Sequence, residues 1–246
     1  MKRENPFISI YKQCNALSND EKYKLLSNDG EMVPVYLDIE LTNCCNIHCN
    51  MCFVGTGVMK RKQGFMTEDV FEKVLENIKK YHIKGVRFIR WGEPTLHPKF
   101  IEWVSILKKE GILVHFNTNG LLFNCEMIEK LLATEVDSIK FSFQGVNDLT
   151  YRDMRSGGSY SHLLDTIKMM YTMRERRKNP YISITTSITY EQQEDVMRFK
   201  EEVSPWCDEV GVGKTVMKFA DVERMNLSKE RSQLYKKYIE ESQFNR

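Results

Sequence analysis

The chain has 246 residues, of which 41% are hydrophobic and 28% charged, and its formal net charge is +2. That balance is ordinary for a soluble globular protein and gives enough chain for one large domain or two small ones. The small net charge excludes a strong field for nucleic acid or acidic membranes, and no window approaches the ~20 apolar residues of a membrane span.

The first residues carry no apolar stretch long enough for a signal peptide. Seven cysteines, four of them within positions 44–52, do not resemble a secreted disulfide framework. In a reducing, cytoplasmic setting such a cluster points to metal. Cys14, Cys125 and Cys207 are scattered singly and read as inert thiols.

Residues 1–33 read as a helical, polar extension outside the core. Strand-like and helix-like segments then alternate. Residues 35–41 alternate as a strand and break into the cysteine loop. Thr67 can cap a helix whose stripe is Phe71, Val74, Leu75 and Ile78. Residues 86–91 form a second strand, stopped by Gly92-Glu93-Pro94. A helix over 98–110 ends at Gly111, and a third strand over 112–117 runs into Thr118-Asn119-Gly120. A helix over 127–134 precedes a fourth strand over 136–143, closed by Gln144-Gly145. The next helix spans 160–177, with Arg174, Arg176, Arg177 and Lys178 as its solvated end. A β-branched strand follows over 181–188, then a helix with Thr189 and Gln192 as a capping-box signature. A short sixth strand covers 209–213. Residues 221–246 form a C-terminal tail, charged and helical over 228–244.

Six βα repeats imply parallel strands with right-handed crossovers. The fold class expected is α/β, a partial (β/α)6 TIM-like barrel over residues 34–220. In such barrels the loops after the strands gather at one mouth. The cysteine loop, the Gly92-Glu93 segment, Asn119 and the Ser142–Gln144 segment therefore share one rim. Thr185, Ser187 and Lys214 point toward the same mouth as candidate substrate contacts. His48 reads as a solvent-facing loop histidine and His97 as part of a helix start. Residues 60–66 read as a polar loop.

Cys45, Cys49 and Cys52 have the spacing Cys-x3-Cys-x2-Cys. Three thiolates in one tight loop can hold one inorganic centre and leave a coordination position open. Three readings fit. A zinc site could draw four ligands from Cys44, Cys45, His48, Cys49 and Cys52, though zinc modules usually bring two separated pairs. A 4Fe–4S cluster would leave one iron for a small molecule. A redox pair at Cys49 and Cys52 would leave Cys45 unexplained.

The cysteine run after the first strand, with Trp91-Gly92-Glu93-Pro94 after the second, resembles radical S-adenosylmethionine (radical SAM) enzymes. The core is similar to that of the subgroup carrying an auxiliary-cluster (SPASM) domain. Only Cys125 and Cys207 follow Cys52, too few for such a domain, so a single cluster or a core cut short is expected.

The resemblance implies a 4Fe–4S cluster on Cys45, Cys49 and Cys52, with S-adenosylmethionine on its open iron. Reductive cleavage would give a 5′-deoxyadenosyl radical that abstracts hydrogen from a peptide, sugar or small metabolite. A flavodoxin or ferredoxin would supply the electron. Gly92 and Glu93 would receive the cofactor's ammonium group. Asn119 would approach the ribose, Ser142 and Gln144 the ribose or carboxylate, and Arg155 the carboxylate. Met51 would lie near adenine by its backbone, and Phe53 would offer an aromatic face. Cys44 falls outside the motif. Trp91 departs from the glycine usual at its position. A non-catalytic zinc or scaffold protein on the same fold is the alternative.

Overall fold

The computed structural model describes residues 2–28, 31–32 and 34–244. Positions 1, 29, 30, 33, 245 and 246, and the Cys14 side chain, lie outside the described residues.

Six strands form one sheet: β1 (Tyr36–Ile39), β2 (Gly85–Phe88), β3 (Leu113–Thr118), β4 (Ser138–Ser142), β5 (Tyr181–Ile188) and β6 (Glu209–Lys214). They lie side by side in chain order, every neighbouring pair parallel, with β1 and β6 at the edges. Parallel neighbours need crossovers, which α3 (Glu68–Lys80), α4 (Phe100–Lys109), α5 (Cys125–Ala133), α7 (Tyr160–Met173) and α8 (Gln193–Val203) provide. This is the α/β partial barrel the repeats imply. The helices α1 (Pro6–Ala16) and α2 (Asn19–Leu26) precede it, and α9 (Lys229–Phe244) follows.

The strands alternate by face. Val86, Val114, Phe116, Ile139, Phe141 and Ile184 are fully buried in the main core cluster. Phe71 of α3 and Trp103 of α4 share that cluster and stack with ring centroids 4.1 Å apart. Each such side chain contributes roughly 1.5–3 kcal/mol by leaving water. The intervening residues, among them Asp38, Arg87, His115, Asn117 and Lys140, take the other face. The barrel interior is therefore polar, and it can hold ligands.

The structure departs from the sequence expectations at several points. The extension is not separate from the core. Phe7 is buried, its ring 4.9 Å from Tyr36 and 5.7 Å from His115. Arg3 donates its backbone N–H to Asp208 and its side chain to the Lys178 and Arg177 carbonyls. The chain start thus seats against the N-terminal end of the barrel.

Arg174 is not part of a solvated helix end. It is completely buried, and its guanidinium forks onto the Asp208 carboxylate and the Pro180 carbonyl. A buried guanidinium needs a planar anion of this kind, and none was visible within its own helix. β2 ends at Phe88 because Arg90 adopts a left-handed backbone, φ 95°. Thr67 precedes α3 without a side-chain cap bond, and Gln192, not Thr189, occupies the N-cap position of α8. Among the elements not anticipated are the short helix α6 (Asp148–Met154) and a two-residue ladder between His48–Cys49 and Arg155–Ser156.

Candidate active site

The cysteine loop leaves β1 and is held at three levels. At its base, Thr42 donates its hydroxyl to the Gly64 carbonyl (2.7 Å), while Asn43 exchanges hydrogen bonds with Lys62 and Gly64. The polar loop 60–66 is therefore a brace for the cysteine loop. In the middle, the Glu93 N–H donates to the Cys44 carbonyl at 2.8 Å. That approach requires glycine at 92, where φ is +76° and a Cβ would lie 2.2 Å from the Thr42 carbonyl oxygen. At the top, Cys49 pairs antiparallel with Arg155. Asn50 extends this pairing with its N–H to the Met154 carbonyl (2.7 Å) and its side-chain amide to the Asp153 carbonyl (2.6 Å).

Cys45, Cys49 and Cys52 all line one cavity of about 190 Å³, together with Gly92, Asn119 and Arg155. Cys44 is not among its lining residues, and its thiol faces the Gly64 carbonyl. His48 is exposed, as expected of a loop histidine. His97 is buried, closing the short helical turn Pro94–Leu96 and stacking against Trp103.

Glu93 has a role the motif did not reveal. Its carboxylate is buried and accepts four hydrogen bonds: from the Thr95 N–H and hydroxyl, the Thr118 hydroxyl (2.8 Å) and the Asn119 N–H (2.8 Å). Burial pushes its pKa up, against the pull of those donors. The side chain locks the rim after β2 to the rim after β3. Any contact from this segment to a ligand is left to the backbone. Thr118 went unrecognised because its partner lies 25 positions earlier.

The remaining sequence candidates divide between two connected spaces. Met51, Ser142 and Arg155 line both the cysteine cavity and a wider one of about 440 Å³. Asn119 is buried over the cysteine loop, its amide donating to Asn46 at 2.7 Å. Gln144 lines only the wider cavity, and its amide is taken by the Ser187 carbonyl and the Thr215 hydroxyl. Phe53 lines neither, because its ring packs on Trp91 (5.3 Å) and Phe219 (5.0 Å). Thr185, Ser187 and Lys214 do line the wider cavity.

The cavity lining offers three thiols, one fewer than a closed zinc site needs. A 4Fe–4S cluster gives each cysteine its own iron, and thiols spread around one cavity suit it. Burial pushes the Cys45 thiol up to about 11 and raises Cys49 as well, with Arg155 drawing Cys49 back down. Ligation requires thiolates, so the positive charge of a metal centre has to overcome that burial.

The sequence model of the Radical SAM superfamily matches residues 39–203, more than half of the chain. The chain belongs to the radical SAM superfamily. Radical SAM proteins use a 4Fe–4S cluster and S-adenosylmethionine. The tungsten-containing aldehyde ferredoxin oxidoreductase cofactor-modifying protein of Pyrococcus furiosus is 29% identical over 184 residues, 74% of this chain and 44% of that protein. The GTP 3′,8-cyclase of Peptoclostridium acidaminophilum is 30% identical over 152 residues, 61% of this chain and 46% of its own. Streptococcus suis SuiB bound to S-adenosylmethionine shares the fold with a TM-score of 0.64 at 16% identity, covering 98% of this chain and 55% of SuiB. The chain spans less than half the length of these two curated relatives. No described helix is long and apolar enough to cross a membrane.

Proposed function

We propose that Cys45, Cys49 and Cys52 hold the 4Fe–4S cluster and that S-adenosylmethionine sits beside it, its carboxylate against Arg155 and its ammonium group against the backbone of Gly92 and Glu93. The observation that carries this reading is the state of Arg155. It is 8% exposed, yet its guanidinium has one long bond, to the Phe143 carbonyl at 3.4 Å, and its Nε is buried without a partner. Among the described residues it has no carboxylate. A buried guanidinium fork beside a thiol cavity suits an incoming planar carboxylate.

When bound, cluster and cofactor together supply a 5′-deoxyadenosyl radical by reductive cleavage, for hydrogen abstraction from substrate. The chain's own residues orient and exclude. The pairing of Cys49 with Arg155 sets the distance between the cluster ligand and the carboxylate site. Glu93, through Asn119, holds the third rim against the cysteine loop. Phe53 packs on Trp91 and Phe219, an aromatic cluster beside the mouth. Ser142, at the junction of the two cavities, can donate to either occupant. Substrate, a peptide or a small metabolite, would occupy the wider cavity. A flavodoxin or ferredoxin in the cytoplasm would supply the electron.

The test is anaerobic reconstitution with iron and sulfide, then dithionite and S-adenosylmethionine. About four irons per chain and release of 5′-deoxyadenosine are expected. Cys49→Ala should lose both. A tetrahedral zinc spectrum in place of the cluster would overturn the reading.

A further inference from the structure

The wider cavity has an electrostatic character of its own. Its lining includes Lys140, Lys214 and Arg155 and no carboxylate. Arg155 faces the cysteine cavity as well, and Lys214 is exposed at the strand end. Lys140 is different. It projects from the middle of β4, one pleat repeat below Ser142, or about 6.6 Å deeper along the strand. It is half-buried and does not line the cysteine cavity.

Among the described residues Lys140 has no hydrogen bond and no ion pair. An acid on the interior face, Asp38, is already shared by Arg87 at 2.6 Å and Arg90 at 3.0 Å. The charge that Lys140 feels most is Arg87, of its own sign. An ammonium held in such a place loses hydration without gaining a partner. Three hydroxyls surround the same space. Ser142 lies opposite Thr185 in the β4–β5 register, and Ser187 follows one repeat later on β5. Among the described residues none of these hydroxyls has a protein partner.

We propose that the substrate carries a carboxylate, bound by Lys140 with a hydroxyl donor from Thr185, at the end of the wider cavity away from the cluster. This rests on the assignment of the narrower cavity to cluster and cofactor. A single ammonium flanked by hydroxyls matches a singly charged acid. Lys140 supplies one positive charge at this depth, which balances a carboxylate and leaves part of a phosphate's charge uncompensated. The acid end anchors the substrate deep in the barrel, and the carbon that yields hydrogen lies toward Ser142 and the cofactor.

The experiment is calorimetric titration of the reconstituted enzyme, with S-adenosylmethionine present, by propionate, succinate and glutamate, with succinamide and inorganic phosphate as controls. At least one acid should bind the wild type, and Lys140→Met should weaken it about tenfold or more, the worth of a charge-assisted bond. Lys140→Arg keeps the charge and should bind within a few-fold of wild type. S-adenosylmethionine affinity should be the same in all three proteins. No acid binding to wild type, unchanged binding in Lys140→Met, equal binding of succinamide, or tighter binding of phosphate would each overturn the proposal. Loss of S-adenosylmethionine affinity in Lys140→Met would assign Lys140 to the cofactor, ending this proposal and leaving the proposed function intact. Failure of the wild type to bind S-adenosylmethionine would strike the proposed function instead.

Discussion

Cys49 and Arg155 are direct neighbours across an antiparallel ladder only two residues long. The short ladder joins the loop after β1 to the end of α6, more than 100 positions later. The thiol and the guanidinium are therefore parts of one rigid piece. Arg155→Met should lower S-adenosylmethionine affinity about 10- to 100-fold, the range for a buried charge-assisted pair. Iron content should stay near wild type. Arg155→Lys should recover little, since an ammonium cannot fork. Equal cofactor affinity in Arg155→Met, measured calorimetrically, would remove Arg155 from the site.

The two adjacent cysteines should behave oppositely. Cys44→Ala should keep its iron and its brown absorbance, because that thiol lies outside the cavity. Cys45→Ala should lose the cluster. Iron analysis of the purified variants checks both, and a colourless Cys44→Ala would mean that the ligand frame is shifted.

Glu93→Gln probes the lock between rims. All four hydrogen bonds at the carboxylate are accepted ones. A glutamine amide presents hydrogens to donors on one side, leaving them buried without acceptors. The expected loss is about 1–3 kcal/mol per orphaned group, read by urea unfolding of the unreconstituted protein. A variant as stable as wild type would show that the rim is held by other contacts.

His115 predicts an acid limb in stability. Burial pushes its pKa down to about 4, with Nδ1 on the Ser138 hydroxyl and Nε2 on the Asn117 amide oxygen. The unfolded chain takes up the proton near pH 6.5, the folded chain only near 4. Stability contributed by the neutral ring is full above pH 6.5 and falls as pH drops toward 4, by up to about 3 kcal/mol. His115→Gln should flatten that part of the pH–stability curve. An identical slope in the variant would assign the acid sensitivity to other groups.

Asp208 is the anchor of a buried pair. Its carboxylate, held below the usual range, takes Arg174, the Ile182 N–H and the Arg3 N–H. Asp208→Asn leaves an unpaired buried guanidinium and should cost about 3–5 kcal/mol, with a lower thermal midpoint. An unchanged midpoint would mean that Arg174 finds another anion.

The fold was largely readable because each βα unit carries its own local signal: alternation in the strand, a stripe in the helix, a glycine or capping residue between them. The three cysteines that line one cavity were readable for the same reason, lying within eight consecutive positions. The residues that escaped depend on partners far along the chain. Arg174 looks like surface until Asp208, 34 positions later, is brought beneath it. The Glu93 side chain looks free until Thr118 and Asn119 arrive from the next rim. Lys140 looked like one more polar residue in a strand, and only the register of six strands reveals the empty space in front of it. Phe7 heads an i, i+3, i+4, i+7 stripe with Ile10, Tyr11 and Cys14, but such a stripe does not say which surface its helix packs on.

That phenylalanine has a practical consequence. Shortening the chain by its first eight residues looks harmless on paper, because the segment is polar and precedes the first strand. It would in fact pull the stopper from the floor of the barrel. Solvent would reach the His115 ring from below, and Asp208 would give up one of its two backbone donors. A crystallographer who trims that end for better diffraction should expect a leakier, less heat-resistant protein.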